Sequence, residues 1–343
     1  MAAIATRTEE LTGVSPDAIP FDDLVAGDRP VILKGVVREW PLVRHGLRSA
    51  QDAMGYLTGF YQGQPVTSYV GPPGLNGRFH YTPQATELNF AFERLQLETF
   101  FDRIVAHSGD PDPPSFYVSS TEVATCLPGL RTENDLDPSL FTGAGAPPLV
   151  SLWMGNRTIA SAHWDSLHNL ACCVVGQRRF TLFPPDQVEN LYPGPLEPTP
   201  GGQVVSMVDF DNPDLERHPR FAEALKTGQV AMLDPGDALF YPPLWWHQVE
   251  GIGYFNAMIN YWWSAAPVFM DSPMNTLLHA ILSLRDRPES EKHAWRALFD
   301  YYIFGAPNRA AAHLPQAAQG VLAPLDSLGA RRLRAMLLNK LNR

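Results

Sequence analysis

Ser161-Ala162-His163-Trp164-Asp165, answered later in the chain by Trp245-Trp246-His247, is the pair of segments whose reading decides the fold. Successive side chains of a β-strand point to opposite faces, so a His-x-Asp on a strand aims an imidazole and a carboxylate the same way. One more imidazole from a neighbouring strand then gives two histidines and a carboxylate on a single face of a metal ion. That set leaves coordination positions open and is the usual ligand set of non-haem Fe(II) oxygenases. His163, Asp165 and His247 are therefore the expected Fe(II) ligands and catalytic centre. Zinc or another divalent ion would accept the same donors.

Around these segments the chain reads as short β runs punctuated by turns. The expected strands span 149–153, 162–165, 169–175, 178–183, 203–208, 229–233, 238–241, 247–250 and 256–263. Gly176-Gln177 predicts a tight hairpin between two of them. Pro235-Gly236-Asp237 predicts a turn before the distal histidine. Many short strands at this spacing imply a mostly β protein, a barrel or jelly roll, with flanking helices. Residues 1–10 are expected to be loose, 29–37 to form a strand, and 65–70 and 115–118 two more. Helical spacing predicts helices over 49–61, with Ser49 as N-cap, and over 97–107, with Phe100, Phe101, Ile104 and Val105 as its apolar stripe. Further helices are expected at 219–227, 274–285, 289–304 and 325–341, the last basic and amphipathic.

Composition limits the function classes. The 343 residues are 45% hydrophobic and 18% charged, enough to bury a sizeable core. A formal net charge of −10 argues against a nucleic-acid surface, which needs a positive field. Cys126, Cys172 and Cys173 cannot build a disulfide framework and read as buried thiols in a reducing compartment. No apolar run is long enough to span a bilayer, and no secretory signal opens the chain. The expectation is a cytoplasmic protein without a membrane partner.

The ordered motifs carry a resemblance. They are Arg29 to Pro41, His163-Trp-Asp165, Asn169, and Arg178-Arg-Phe-Thr-Leu-Phe-Pro-Pro185. Leu191-Tyr-Pro193, Pro235 to His247 and Asn260-Tyr-Trp262 follow. In this series the chain resembles the cupin-like branch of the JmjC family, which includes asparaginyl hydroxylases, over about 21–263. The resemblance implies a double-stranded β-helix and Fe(II)- and 2-oxoglutarate-dependent dioxygenation, with succinate and carbon dioxide as co-products. It also implies three regions. Residues 1–114 would be an α/β elaboration packed on the barrel, 115–267 the metal-bearing β-helix, and 268–343 a helical region that forms a homodimer.

The far carboxylate of 2-oxoglutarate needs a buried cation, because an unpaired buried charge is costly. Arg178 is the first choice and Arg179 its competitor: alternation puts Arg178, Phe180 and Leu182 on one face and Arg179, Thr181 and Phe183 on the other. Relatives place a lysine at the position of Arg178, whose fork can do the same work. The resemblance also points to Tyr117, Asn169, Asn260 and Trp262 around the co-substrate. Relatives carry a threonine where this chain has Ala160, so Ser161 is the substitute hydrogen-bonding group. His168 is outside the metal set, and Phe240, Tyr241, Trp245 and Trp246 read as barrel packing. Loops 71–82 and 192–202 are expected to select a prime substrate, a peptide, protein or small molecule. A non-oxygenase cupin metalloenzyme and a silent binding module are the competing readings.

Overall fold

Eight strands make the centre of the computed structural model, which describes residues 4–141, 143 and 145–342. They are β1 (Leu149–Gly155), β2 (Ile159–His163), β3 (His168–Val175), β4 (Arg178–Phe183), β5 (Gln229–Leu233), β6 (Ala238–Tyr241), β7 (Trp246–Gly251) and β8 (Asn256–Trp263). One sheet has the order β5-β4-β7-β2 and the other β6-β3-β8-β1, antiparallel throughout. Except from β4 to β5, each strand is followed by one in the opposite sheet. That alternation is the double-stranded β-helix, or jelly roll, of a cupin.

Gly176-Gln177 is consequently not a hairpin. β3 and β4 share no ladder, and the turn carries the chain from one sheet to the other. Gly176 sits at φ +71°, and a Cβ there would lie 2.3 Å from the Asn256 Oδ1. Only glycine combines that backbone with that approach.

Both faces of the larger sheet are buried at β3, which explains why that strand is apolar almost without interruption. Ala171 and Cys173 face inward, with Phe180, Leu182 and Met258. Leu170, Cys172 and Val174 face outward, onto a layer that includes Leu42, Leu57, Phe100 and Ile104. That layer is built by helices α1 (Pro41–Arg48), α2 (Ala50–Thr58) and α3 (Leu97–Ala106). Ser49 caps α2 as expected, its Oγ accepting from the Asp52 amide at 3.0 Å. Val105 leaves the α3 stripe and is 38% exposed. All three cysteines are free and buried.

Several expected strands are shorter or absent. Of 29–37 only Val31–Leu33 is strand, because Gly35 turns the chain at φ +68° and its amide donates to Asp237 Oδ1 at 2.8 Å. Segment 203–208 makes only isolated bridges, Val205 to His163 and Ser206 to Pro193. Within the expected loose segment 1–10, residues 1–3 lie outside the described set, while Thr6–Arg7 and Glu9–Leu11 pair in parallel with β5 and Val31–Leu33. Ser115–Glu122, Val66–Gly71 and Ala91–Leu95 continue the larger sheet beyond β1.

The chain divides into two compact units, one up to Ala265 and one from Ala266 on. The second contains helices α4 (Pro273–Leu284), α5 (Glu289–Tyr302) and α6 (Ser327–Leu341). Among the described residues no helix is long and apolar enough to cross a membrane.

Candidate metal centre

β2 and β7 lie side by side and place His163 directly opposite His247. Their rings are 4.3 Å apart between centroids. Asp165 is not on the strand: β2 ends at His163, and the carboxylate arrives from the turn that follows. That turn is fixed by main chain, the Asp165 carbonyl accepting from the Leu244 amide at 2.7 Å. Leu244 takes up φ +65° just before β7, so the turn that carries the acid is bonded to the connection that leads into the second histidine. Asp165 Oδ2 comes within 3.6 Å of His247 Nε2. The donor atoms of His163, Asp165 and His247 all lie within 4.8 Å of one another.

The tautomers follow from the backbone. His163 Nδ1 lies 2.8 Å from the Ser161 carbonyl and His247 Nδ1 lies 2.9 Å from the Trp245 carbonyl. A carbonyl only accepts, so each Nδ1 carries the proton and each Nε2 keeps its lone pair for a metal. Burial, with His247 alongside, holds the His163 imidazole down at about 4, and it is neutral at pH 7. Burial would raise the Asp165 carboxyl, but the adjoining His247 and His163 outweigh it and hold the group below the usual range. Two imidazoles and a carboxylate are a fitting donor set for Fe(II).

A cavity of about 300 Å³ opens beside the trio. Tyr117, Trp153, Ser161, Tyr241, Asn260 and Trp262 line it along with the three donors. Cross-strand register explains the gathering: Asn169 on β3 pairs with Tyr241 on β6 and Trp262 on β8, one row of inward-facing side chains. Asn260 Nδ2 donates to Asn169 Oδ1 at 2.8 Å. Asn169 Nδ2 and Asn260 Oδ1, both buried, are left without hydrogen-bond partners. Ser161 Oγ donates to the Phe79 carbonyl at 2.8 Å, which leaves its lone pairs for another donor.

Arg178 and Arg179 part as strand alternation requires. Arg179 lies on the outer face with Glu250 and Asp211, its Nε donating to Glu250 at 3.0 Å. Arg178 is 2% exposed, and its Nε and Nη2 have no hydrogen-bond partner. Burial lowers its pKa, and Tyr117 and Cys173 are the titratable groups that act on it. A guanidinium so buried and unpaired is a standing cost unless an anion meets it. Three metal donors and a buried cation are the groups that a metal ion and a dicarboxylate would need, and Arg178 and Asn169 are not themselves among the described residues lining the cavity. Fe(II) and 2-oxoglutarate, the cofactors of the JmjC branch, match this combination of donors and cation.

Sequence reasoning missed three contributors. Tyr241 is no mere packing residue, since its ring lies 4.6 Å from that of His247 and it lines the cavity. Trp153 and Tyr69 line it too. The row Asn169–Tyr241–Trp262 could have been found by counting alternation along β6, but the register between strands is not written in either one. His168 stacks on Trp263 and Phe240, on the outer face, away from the trio.

The two loops at the mouth are tied together. Arg78 pairs with Asp209 at 3.2 Å and donates to the Val208 carbonyl at 2.9 Å. His80 Nε2 donates to the Ser206 carbonyl at 3.0 Å, and the Tyr81 hydroxyl to the Pro198 carbonyl at 2.7 Å. Phe79 from the first loop, and Pro200 and Gly201 from the second, reach the cavity wall.

Several known proteins are similar to this chain in sequence. "Lysine-specific demethylase JMJ30" of Arabidopsis thaliana is 24% identical over 75% of this chain and 55% of its own length. "Lysine-specific demethylase 8" of Xenopus tropicalis is 23% identical over 71% of the chain and 50% of its own length. "Lysine-specific demethylase JMJ31" of Arabidopsis thaliana is 34% identical over 40% of the chain and 26% of its own length. The chain thus spans from a quarter to about half of these relatives. A family model described as a cupin-like domain matches residues 16–269, and the chain belongs to that cupin-like, JmjC family.

Proposed function

We propose that the chain is an Fe(II)- and 2-oxoglutarate-dependent dioxygenase that hydroxylates a C–H bond of a protein side chain or a small molecule. The observation that carries this reading is Arg178, a buried cation without an anion, on the inner face of the strand next to the one bearing His247. His163, Asp165 and His247 would hold the metal. Arg178 with the Tyr117 hydroxyl would receive the far carboxylate, and Asn169, Asn260, Trp262 and Ser161 would border the co-substrate. Bound together, iron and 2-oxoglutarate supply oxidation: O2 is reduced, the co-acid leaves as succinate and CO2, and a substrate C–H becomes C–OH.

The protein's own part is positional. Main-chain bonds from Ser161 and Trp245 fix the direction of both imidazoles. Tyr241 and Trp262 keep the inner cavity apolar, which strengthens every charge contact there and excludes water. The relatives bear the name of lysine demethylases. Hydroxylation of an N-methyl carbon is the same C–H chemistry with another substrate, so the reaction class is common to both.

Succinate release with and without oxygen tests the proposal. Oxygen-dependent succinate that disappears in Asp165→Ala and His247→Ala is the expected result. Metal-dependent turnover needing neither O2 nor 2-oxoglutarate would replace it with a non-oxygenase cupin reading.

We assign homodimerisation to α4–α6. Leu282 is 78% and Phe304 76% exposed, and α4 and α5 contain no buried residue. Helices of that composition need an apolar partner. Sedimentation should give a dimer that Leu282→Glu converts to monomer, and a monomeric parent chain would refute the assignment.

A further inference from the structure

The walls of the cavity are almost without charge. Of the described residues lining it, Asp165 is the only Asp, Glu, Lys or Arg. The remainder include rings and neutral polar groups, among them Tyr69, Phe79, Ser119, Ser120 and Gln203. Resting on the dioxygenase reading, the loaded site also balances internally. The charges of a ferrous ion offset those of 2-oxoglutarate, and Asp165 offsets Arg178. No countercharge is left for a substrate.

Aromatic rings could take a cation in place of a carboxylate, but only with open faces arranged around a gap. Here the rings spend their faces and edges on one another. Tyr69 stacks on Phe90 at 4.9 Å and meets Phe92 edge-on at 4.8 Å. Phe79 stacks on Tyr117 at 5.8 Å and meets Phe90 at 5.0 Å. Trp153 and Trp262 close together at 5.5 Å. An ammonium or guanidinium pushed between these walls would lose its water and gain no countercharge.

We infer that the prime substrate presents an uncharged group to the metal centre, with Ser119, Ser120 and Gln203 as its hydrogen-bonding partners, and that the mouth rejects ammonium groups. The substrate class is a neutral side chain or neutral metabolite. Lysine and methyl-lysine in their cationic forms fall outside it. The net charge of −10 pulls in the other direction, since the outer field attracts cations. A preference for neutral ligands must therefore arise in the mouth itself.

The test uses the whole chain with Mn(II) and 2-oxoglutarate under argon, so no turnover is needed. Mn(II) is paramagnetic and relaxes the protons of molecules that approach it. The probes are shape-matched pairs, benzyl alcohol with benzylammonium and pentanamide with pentylammonium. The neutral member of each pair should relax at least about tenfold more than the cation, in line with the cost of an unpaired charge in an apolar site. Gln203→Glu should restore benzylammonium relaxation by about tenfold. Equal relaxation within the pairs, or none for any probe, overturns the inference. Water-proton relaxation separately reports Mn(II) binding and its response to 2-oxoglutarate. If that response is missing, the dioxygenase reading falls and takes this inference with it.

Discussion

Arg178 and Arg179 are neighbours in one strand with opposite surroundings: Arg179 meets the carboxylates of Glu250 and Asp211, and Arg178 leaves two guanidinium nitrogens without a partner. Anaerobic titration of the Fe(II) protein with 2-oxoglutarate, followed by its visible charge-transfer band, should tell them apart. Arg178→Ala should weaken 2-oxoglutarate by at least about 100-fold, the loss of a charge-assisted fork worth about 3 kcal/mol. Arg178→Lys should recover part of it. Arg179→Ala should leave the titration within about threefold of the parent, and equal losses from both arginines would undo the assignment.

Gly176 should be intolerant of any side chain. Its φ of +71° disfavours L-residues, and a Cβ would meet Asn256 Oδ1 at 2.3 Å and the Phe255 carbonyl at 2.8 Å. Gly13 has nearly the same φ, +74°, with nothing within 4 Å. Gly176→Ala should then cost about 3 kcal/mol or more in urea unfolding, from backbone strain plus overpacking. Gly13→Ala should cost about 1 kcal/mol.

Lys34 and Asp237 clamp the crossover from β5 to β6. The carboxylate, 5% exposed, accepts from Lys34 Nζ, from the Gly35 amide at 2.8 Å and from the Asp234 amide at 2.9 Å. Burial works to lower the Lys34 pKa, but the bond to Asp237 prevails and raises it. A raised lysine contributes fully below its unfolded value of 10.5 and loses that contribution as pH rises through the folded value. Asp237→Ala should cost about 3 kcal/mol, since it strands three donors. Lys34→Met should flatten the fall of stability at alkaline pH, measured by thermal unfolding between pH 9 and 12.

His80 should govern part of the acid response. Burial, with Arg78 beside it, lowers its pKa from 6.5 to about 4. The unfolded chain therefore binds the extra proton across that window, and stability falls as pH drops from 6.5 to about 4. The loss is about 3 kcal/mol at most. His80→Asn should shrink the slope of stability against pH in that window, and an unchanged slope would assign acid unfolding to other groups.

Much of the β-helix was legible because alternation and glycine turns are local properties. The segments around Asn169, Arg178 and Asn256 announce themselves by apolar runs of the right length. What alternation cannot say is which sheet a strand joins. Gly176-Gln177 therefore looked like a hairpin turn, although the chain changes sheets there. The metal trio was legible as a spacing, yet the geometry assumed for Asp165 was not. Its carboxylate is placed by the bond from Leu244, a residue far off in sequence, and not by strand periodicity. Segment 203–208 has strand-like residues, but Ser206 spends its amide on the Ala162 carbonyl and only single bridges form. The cavity's missing charges are visible only once register has decided which side chains share a wall.

Both metal-facing imidazoles are steered by carbonyls two residues earlier in the chain, Ser161 within β2 and Trp245 just before β7. No other side chain is needed for that steering, so neighbouring residues are free to drift without turning the ligands away. A lineage with this design could rebuild its mouth for new substrates one residue at a time while the grip on the metal stayed constant.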